Sequence, residues 1–189
     1  CSYTPGGTFY TIQGVNKFDS NSNGCDALDI TIPNLKYTIS NGTISGNFIF
    51  NNSGNYSIPV QAGTHILTPV LQNPSYFNIS PTSATVTFPT TSSPFVQNFC
   101  VTANGVHNDL EITLLPIGPA RPGFDAKYKI VYTNKGNQTQ SGTVTMVLFS
   151  QAYMNFVSAN PAISSQNAEN LYWNFTNLAP FETREILVT

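Results

Sequence analysis

Asp19-Ser20-Asn21-Ser22-Asn23-Gly24-Cys25-Asp26-Ala27-Leu28-Asp29 is the stretch around which the chain is organised. Side-chain oxygens recur on alternate residues at Asp19, Asn21 and Asn23, a glycine follows at the sixth position, and the carboxylates of Asp26 and Asp29 come close behind. A hard cation such as Ca²⁺ takes about six to eight oxygens, and a tight loop gathers them when ligands fall at positions one, three and five. Gly24 suits the sharp turn, and the carbonyl of Cys25 is a natural backbone ligand. Position twelve is Ile30 and not a glutamate, so Asp26 or Asp29 must close the site. Calcium held by Asp19, Asn21, Asn23, Cys25, Asp26 and Asp29 is the expectation. The rival reading is a polar loop of Asx turns that binds nothing.

Outward from this loop the chain alternates. Residues 8–18 read as a strand leading into it. After it, Leu35, Tyr37 and Ile39 alternate with polar residues up to Asn41-Gly42, a strong hairpin signal. The return strand sets Ile44, Gly46, Phe48 and Phe50 on one face, and Asn51-Asn52-Ser53-Gly54 turns it again. Tyr56, Ile58 and Val60 follow, then His65-Ile66-Leu67 and short strands at 76–79, 85–88 and 95–102. About seven strands at this spacing predict a β-sandwich. A seam falls near Ala103-Asn104-Gly105, and beyond it Leu110, Ile112 and Leu114 alternate. Further strand faces are Ala126, Tyr128, Ile130 and Tyr132; Val144, Met146 and Leu148; a shorter one at Phe156-Val157; Leu171, Trp173 and Phe175; and a last run at 183–188. The expectation is an all-β chain of two tandem antiparallel β-sandwiches, residues 1–103 and 104–189.

Composition narrows the function. Charged residues make up 8% of the 189 and the net charge is −2, so no basic face exists to neutralise phosphates and nucleic acid is not an expected partner. No apolar run approaches the roughly 20 residues that span a bilayer as a helix. The 3 cysteines are an odd number. Pairing Cys25 with Cys100 would tie the acidic loop to the last strand of the first half and close a long segment, which is the expected bridge. That leaves Cys1, at a fragment boundary or at the acylated start of a lipoprotein.

Two resemblances refine this. Ile12-Gln13-Gly14, the Asp19–Asp29 loop, Ser53-Gly54-Asn55-Tyr56-Ser57-Ile58 and Ala62-Gly63-Thr64-His65 follow the order of a known surface-protein repeat. The first half resembles the SdrD B-like or carboxypeptidase-regulatory-like, prealbumin-like group. The resemblance implies calcium at Asp19, Asn21 and Asn23. In the second half the carrying residues are Tyr128 to Asn137, Leu171-Tyr172-Trp173-Asn174-Phe175 and Asn177-Leu178-Ala179-Pro180-Phe181-Glu182. They resemble an Ig-like repeat of large bacterial surface proteins, with Phe181 where that turn carries glycine. The pairing of the two looks like secreted Bacteroidetes proteins exported by the type IX system. It implies a secreted or cell-surface location, and the end inside a strand-like run points to a piece of a longer chain.

Reactive constellations are scarce. His65 reads as structural, and His107 with Asp109 has no nucleophile motif beside it. Glu111, Asp125, Glu169, Glu182 and Glu185 are scattered and form no recognisable acid–base pair. Trp173 reads as core, while Tyr3, Phe9, Tyr10, Tyr153 and Tyr172 are candidates for a sugar-contacting surface. The expectation is a non-enzymatic spacer or adhesion module, stiffened by calcium. Its partners are neighbouring domains of the same polypeptide, with surface glycans or host and substratum ligands as further ones. A carbohydrate-binding accessory module of a secreted glycoside hydrolase is the alternative.

Overall fold

Side chains that branch at Cβ or carry rings pack well on a pleated surface, and here glycine, asparagine or proline interrupts nearly every such run. The outcome is strands only. A computed structural model describes residues 7–50, 53–148 and 154–189, and among them are seventeen strands and no helix. The chain divides into two units, Cys1–Gly105 and Val106–Thr189.

The first unit holds β1 (Tyr10–Asp19), β2 (Ile30–Thr31), β3 (Lys36–Ser40), β4 (Ser45–Ile49), β5 (Asn55–Val60), β6 (Gly63–Val70), β7 (Phe77–Ser80), β8 (Ala84–Phe88), β9 (Phe95–Val96) and β10 (Phe99–Ala103). One sheet runs β4-β3-β6-β8. The other is built on β1. Its first half pairs with β5 and β9, and its second half with β2 and β10. The expected hairpin forms at Asn41-Gly42, where Gly42 takes φ 88° and the Asn41 side-chain oxygen accepts the N–H groups of Thr43 and Ile44.

Three details differ from the sequence reading. The run at 95–102 is two strands, because the ladder beside β1 is interrupted at Gln97 and Asn98, where the Asn98 side chain accepts the Val15 N–H. Both of these strands pair with β1 in parallel, so the sheet is not purely antiparallel. Ile30–Thr31 adds a short strand at the exit of the acidic loop.

Tyr37 of β3 ties the two sheets together. Fully buried, it packs its ring against Tyr56 of β5 at 4.8 Å and Phe99 of β10 at 5.7 Å. Burying each such ring contributes about 1.5–3 kcal/mol. Its hydroxyl donates to Asn16 Oδ1, and Asn16 Nδ2 donates to the carbonyl of Gly54 at 3.3 Å, so the polar tips inside the core are satisfied.

The second unit holds β11 (Leu110–Pro116), β12 (Tyr128–Asn134), β13 (Gln140–Val147), β14 (Ala159–Asn160), β15 (Ser165–Gln166), β16 (Asn170–Leu178) and β17 (Thr183–Val188). Its sheets run β11-β12-β17-β14 and β13-β16-β15. Between them lie Ile130, Tyr132, Ile186 and Val188 from one side and Val144, Leu171, Trp173 and Phe175 from the other. The short strand expected at Phe156-Val157 forms instead at Ala159–Asn160. Asn134 is wholly buried and fixes the turn after β12, donating to the carbonyls of Gln138 and Leu178 and accepting from Gly136 N–H. Phe181 takes φ 65°, the left-handed region that glycine enters at least cost, so the turn keeps the backbone that a glycine would give it.

Candidate functional site

The acidic loop begins where β1 stops. Asp19 lies on the face opposite Phe18, and the residue is 4% exposed. Asp19 Oδ2 accepts the N–H of Gly24 at 2.9 Å and Oδ1 that of Asn23 at 3.3 Å. Asn21 Oδ1 also accepts the Asn23 N–H at 3.1 Å, the Asx turn proper to that residue type. Ser22 at φ 61° and Gly24 at φ 95° curl the backbone around the carboxylate. Asp19, Asn21 and Asn23 therefore belong to one turn.

The later carboxylates do different work. Asp29 is 8% exposed, and its Oδ2 accepts the Asp26 N–H at 2.8 Å. Asp26, which is exposed, caps the Leu28 N–H at 2.7 Å. Among the described residues no three His, Cys, Asp or Glu side chains converge in a way that could hold a metal ion. A calcium site drawn from this loop thus relies on Asp19 with amide and backbone oxygens, which Ca²⁺ accepts as readily as carboxylates. The residues fit that use. Each carboxylate oxygen of Asp19 spends one bond on the loop and keeps a further lone pair. Among the described residues no lysine, arginine or histidine forms an ion pair with Asp19 or Asp29.

Lys17, which no spacing marks, also holds the loop. Its ammonium donates to the carbonyl of Asp26 and, at 3.4 Å, to that of Asp29. Its place two residues before Asp19, on the strand that carries the loop, is the only signal in the sequence.

The expected bridge is present. Cys25 and Cys100 are joined, with Cα atoms 5.6 Å apart and a sequence separation of 75. Cys100 stands beside Lys17 in the parallel β1–β10 ladder, so the bridge fastens the middle of the acidic loop to the strand next to its root. Beside it lies an open groove of about 480 Å³, whose charged lining residues are Lys17 and Asp26.

The remaining candidates sit in structural roles. His65 is buried, and its Nε2 bonds the carbonyl of Gln61 at 2.8 Å. The carbonyls of His107 and Asp109 accept the N–H groups of Asn137, Lys135 and Gly136, which anchors the turn after β12. Glu182 is tied down on both oxygens. It accepts from the Ala179 N–H and from Arg184, whose guanidinium also reaches the carbonyls of Thr176 and Asn177. Partial burial raises the Glu182 pKa, but the Arg184 and Ala179 hydrogen bonds outweigh it and hold the carboxyl below its ordinary value.

Of the aromatic candidates, Trp173 is core and donates Nε1–H to the carbonyl of Pro161. Tyr10 stacks on Phe88, and the Tyr172 hydroxyl accepts from Asn167. Phe9 is exposed. Tyr3, Tyr153 and Cys1 lie outside the described residues. A second open groove, of about 670 Å³, is lined by Phe124, Met154 and Phe156 among others, with Arg121 and Asp125 as its charged residues. A single carboxylate there does not make the pair that glycosidic hydrolysis needs.

No protein-family model matches this chain, and no curated protein matches it. Among solved structures it is similar to a DUF3823 family protein from Bacteroides ovatus, at 12% identity over 94% of this chain and 80% of that one, with a TM-score of 0.40. It is likewise similar to a DUF3823 family protein from Parabacteroides merdae, at 10% identity over 95% of this chain and 81% of that one, again with a TM-score of 0.40. Neither likeness assigns a ligand, a reaction or a partner.

Proposed function

We propose that this chain is a non-catalytic structural module of a secreted or cell-surface multidomain protein, and that Ca²⁺ at the acidic loop stiffens its first unit. The observation that carries the reading is Asp19. A residue 4% exposed, its carboxylate with no cationic side chain paired to it among the described residues, sits in a turn whose other oxygen donors are Asn21, Asn23 and backbone carbonyls. Burying a charge is costly unless something of opposite sign attends it. A divalent cation would supply that charge and the rigidity together.

Two further features support the reading. The bridge between Cys25 and Cys100 belongs to oxidising compartments, as expected of a surface protein. His65 and most of the carboxylates whose bonds are described hold turns and strands together, which suits a spacer better than a catalyst.

Calcium that binds the folded loop and not the unfolded chain adds RT ln(1 + [L]/Kd) to stability, about 2.7 kcal/mol at a hundredfold excess over Kd. Thermal melts in chelator and in excess Ca²⁺ test this. The expected result is a higher midpoint with calcium and no comparable gain with magnesium, which dehydrates reluctantly. Superimposable melts would remove the metal from the function and leave a spacer held by its disulfide alone.

A further inference from the structure

β11 is the outer strand of its sheet, and all seven of its residues are exposed. It bonds to β12 through its odd-numbered positions. At one end of the ladder Lys135 N–H donates to the Asp109 carbonyl, and at the other Ile117 N–H donates to the Lys127 carbonyl, each at 2.8 Å. Bonded residues alternate along an antiparallel strand. The N–H and C=O groups of Leu110, Ile112 and Leu114 therefore face the open edge. Among the described residues no strand lies along that edge.

The same three side chains share the sheet face that makes the core. Ile112 stands opposite Tyr132 and Leu114 opposite Ile130. Yet Ile112 and Leu114 are 57% and 52% exposed, where Tyr132 and Ile130 are 8% and 3%. Core coverage stops one strand short. Natural sheets blunt such an edge with lysine, proline, a bulge or an inward-pointing charge. Residues 110–115 carry one charge, Glu111, and it lies 3.7 Å from Lys135 of the same chain. Pro116 protects only the end of the strand.

We propose that β11 pairs edge to edge with β11 of a second copy of this chain, antiparallel, about a two-fold axis at Ile112. The strand is complementary to itself in that register. Ile112 meets Ile112 and Leu110 meets Leu114 on the apolar face, while Glu111 meets Thr113 on the other. The outward N–H and C=O groups of positions 110, 112 and 114 then face their own counterparts, the parity an antiparallel ladder requires. Charge fits as well. Neither Glu111 stands opposite its twin, and each keeps its own Lys135. The pairing is isologous and consumes both edges, so it closes at two copies and does not propagate. One strand pair is small beside the roughly 1,600 Å² of a standard interface, so the dimer is weak and concentration-dependent.

Sedimentation of the full chain from low to high micromolar concentration tests this, with a monomer giving way to a dimer as the expected result. Ile112→Pro is the deciding variant. The N–H it removes faces the open edge, so the β11–β12 ladder keeps its bonds, and proline is tolerated on an edge strand in that orientation. It should raise the dimer dissociation constant by about tenfold or more while the melting midpoint stays near that of the parent chain. Ile112→Lys, which brings two like charges to the axis, should do the same without altering the backbone. Ile49→Lys, at an exposed apolar residue of β4, should leave association unchanged. A chain that stays monomeric throughout, a dimer indifferent to both Ile112 variants, or one equally weakened by Ile49→Lys would overturn the proposal.

Discussion

A β-carbon built on Gly14 would stand 1.7 Å from the carbonyl oxygen of Gln97 and 2.7 Å from its carbonyl carbon. Here β1 passes from pairing with β9 to pairing with β10, and the chain between those two strands is held close. Gln97 N–H donates to the Gln13 carbonyl at 2.8 Å, and the Tyr56 hydroxyl donates to the Gln97 carbonyl. The atom in the way is backbone, so no side-chain rotation can make room. Gly14→Ala should destabilise the fold by about 3 kcal/mol, read as a lower urea midpoint with little change in slope.

Removing the bridge should cost about as much. The chain between Cys25 and Cys100 spans 75 residues, and closing a loop of that size restricts the unfolded state by about 4 kcal/mol on the chain-entropy account. The Cys25→Ser, Cys100→Ser double variant should melt well below the parent. Adding reductant should bring the parent down to the variant and leave the variant where it was.

Alkaline pH should weaken the first unit. Burial, with the neighbouring Tyr56 adding to it, pushes the Tyr37 pKa well above the ordinary tyrosine value, and the Asn16 hydrogen bond opposes this only in part. Burial raises Tyr56 as well. Both protons stay on the folded chain at a pH where the unfolded chain has lost them. Stability is therefore full below about pH 10, the unfolded value, and falls as pH climbs toward the folded values. With both tyrosines the slope approaches about 2.7 kcal/mol per pH unit, and Tyr56→Phe should roughly halve it. Urea titrations between about pH 9 and 11 would measure it.

Asp19 separates the turn from the metal. Asp19→Asn keeps one accepting oxygen and no charge, so one of the bonds to Gly24 and Asn23 becomes neutral and the other is lost, and the metal-free protein should weaken by about 2 kcal/mol. The gain in melting midpoint on adding Ca²⁺ should vanish in this variant. It should survive in Asp26→Asn, because Asp26 is exposed and caps the Leu28 N–H outside the turn that gathers Asp19, Asn21 and Asn23.

Much of the fold was legible because a β-strand declares itself locally. Leu171, Trp173 and Phe175 share a face through the pleat alone, and all three are buried. Asn41-Gly42 specifies its hairpin through the one backbone shape those residues favour. Cys25 with Cys100 was readable from one being in the loop and the other near the end of the first half. The acidic turn was half legible. The spacing of Asp19, Asn21 and Asn23 puts them in one turn, but it does not show that Asp26 and Asp29 fold back on their own backbone, or that Lys17 reaches across to their carbonyls. Those contacts depend on where β2 and β10 hold the two ends of the loop.

By itself, then, the sequence settled that the chain would be strands and turns, and which residues share a face, since both follow from a two-residue period acting over a few positions. Tertiary structure alone decided what covers each face. Leu110, Ile112 and Leu114 alternate as cleanly as Ile130 and Tyr132, yet the first set is exposed and the second is core, because only the second lies beneath an opposing sheet. It also decided that β9 and β10 run parallel to β1, a pairing between residues more than eighty positions apart. Neighbour, cover and register across that distance are fixed by loop closure and packing of the whole chain, and no local pattern records them.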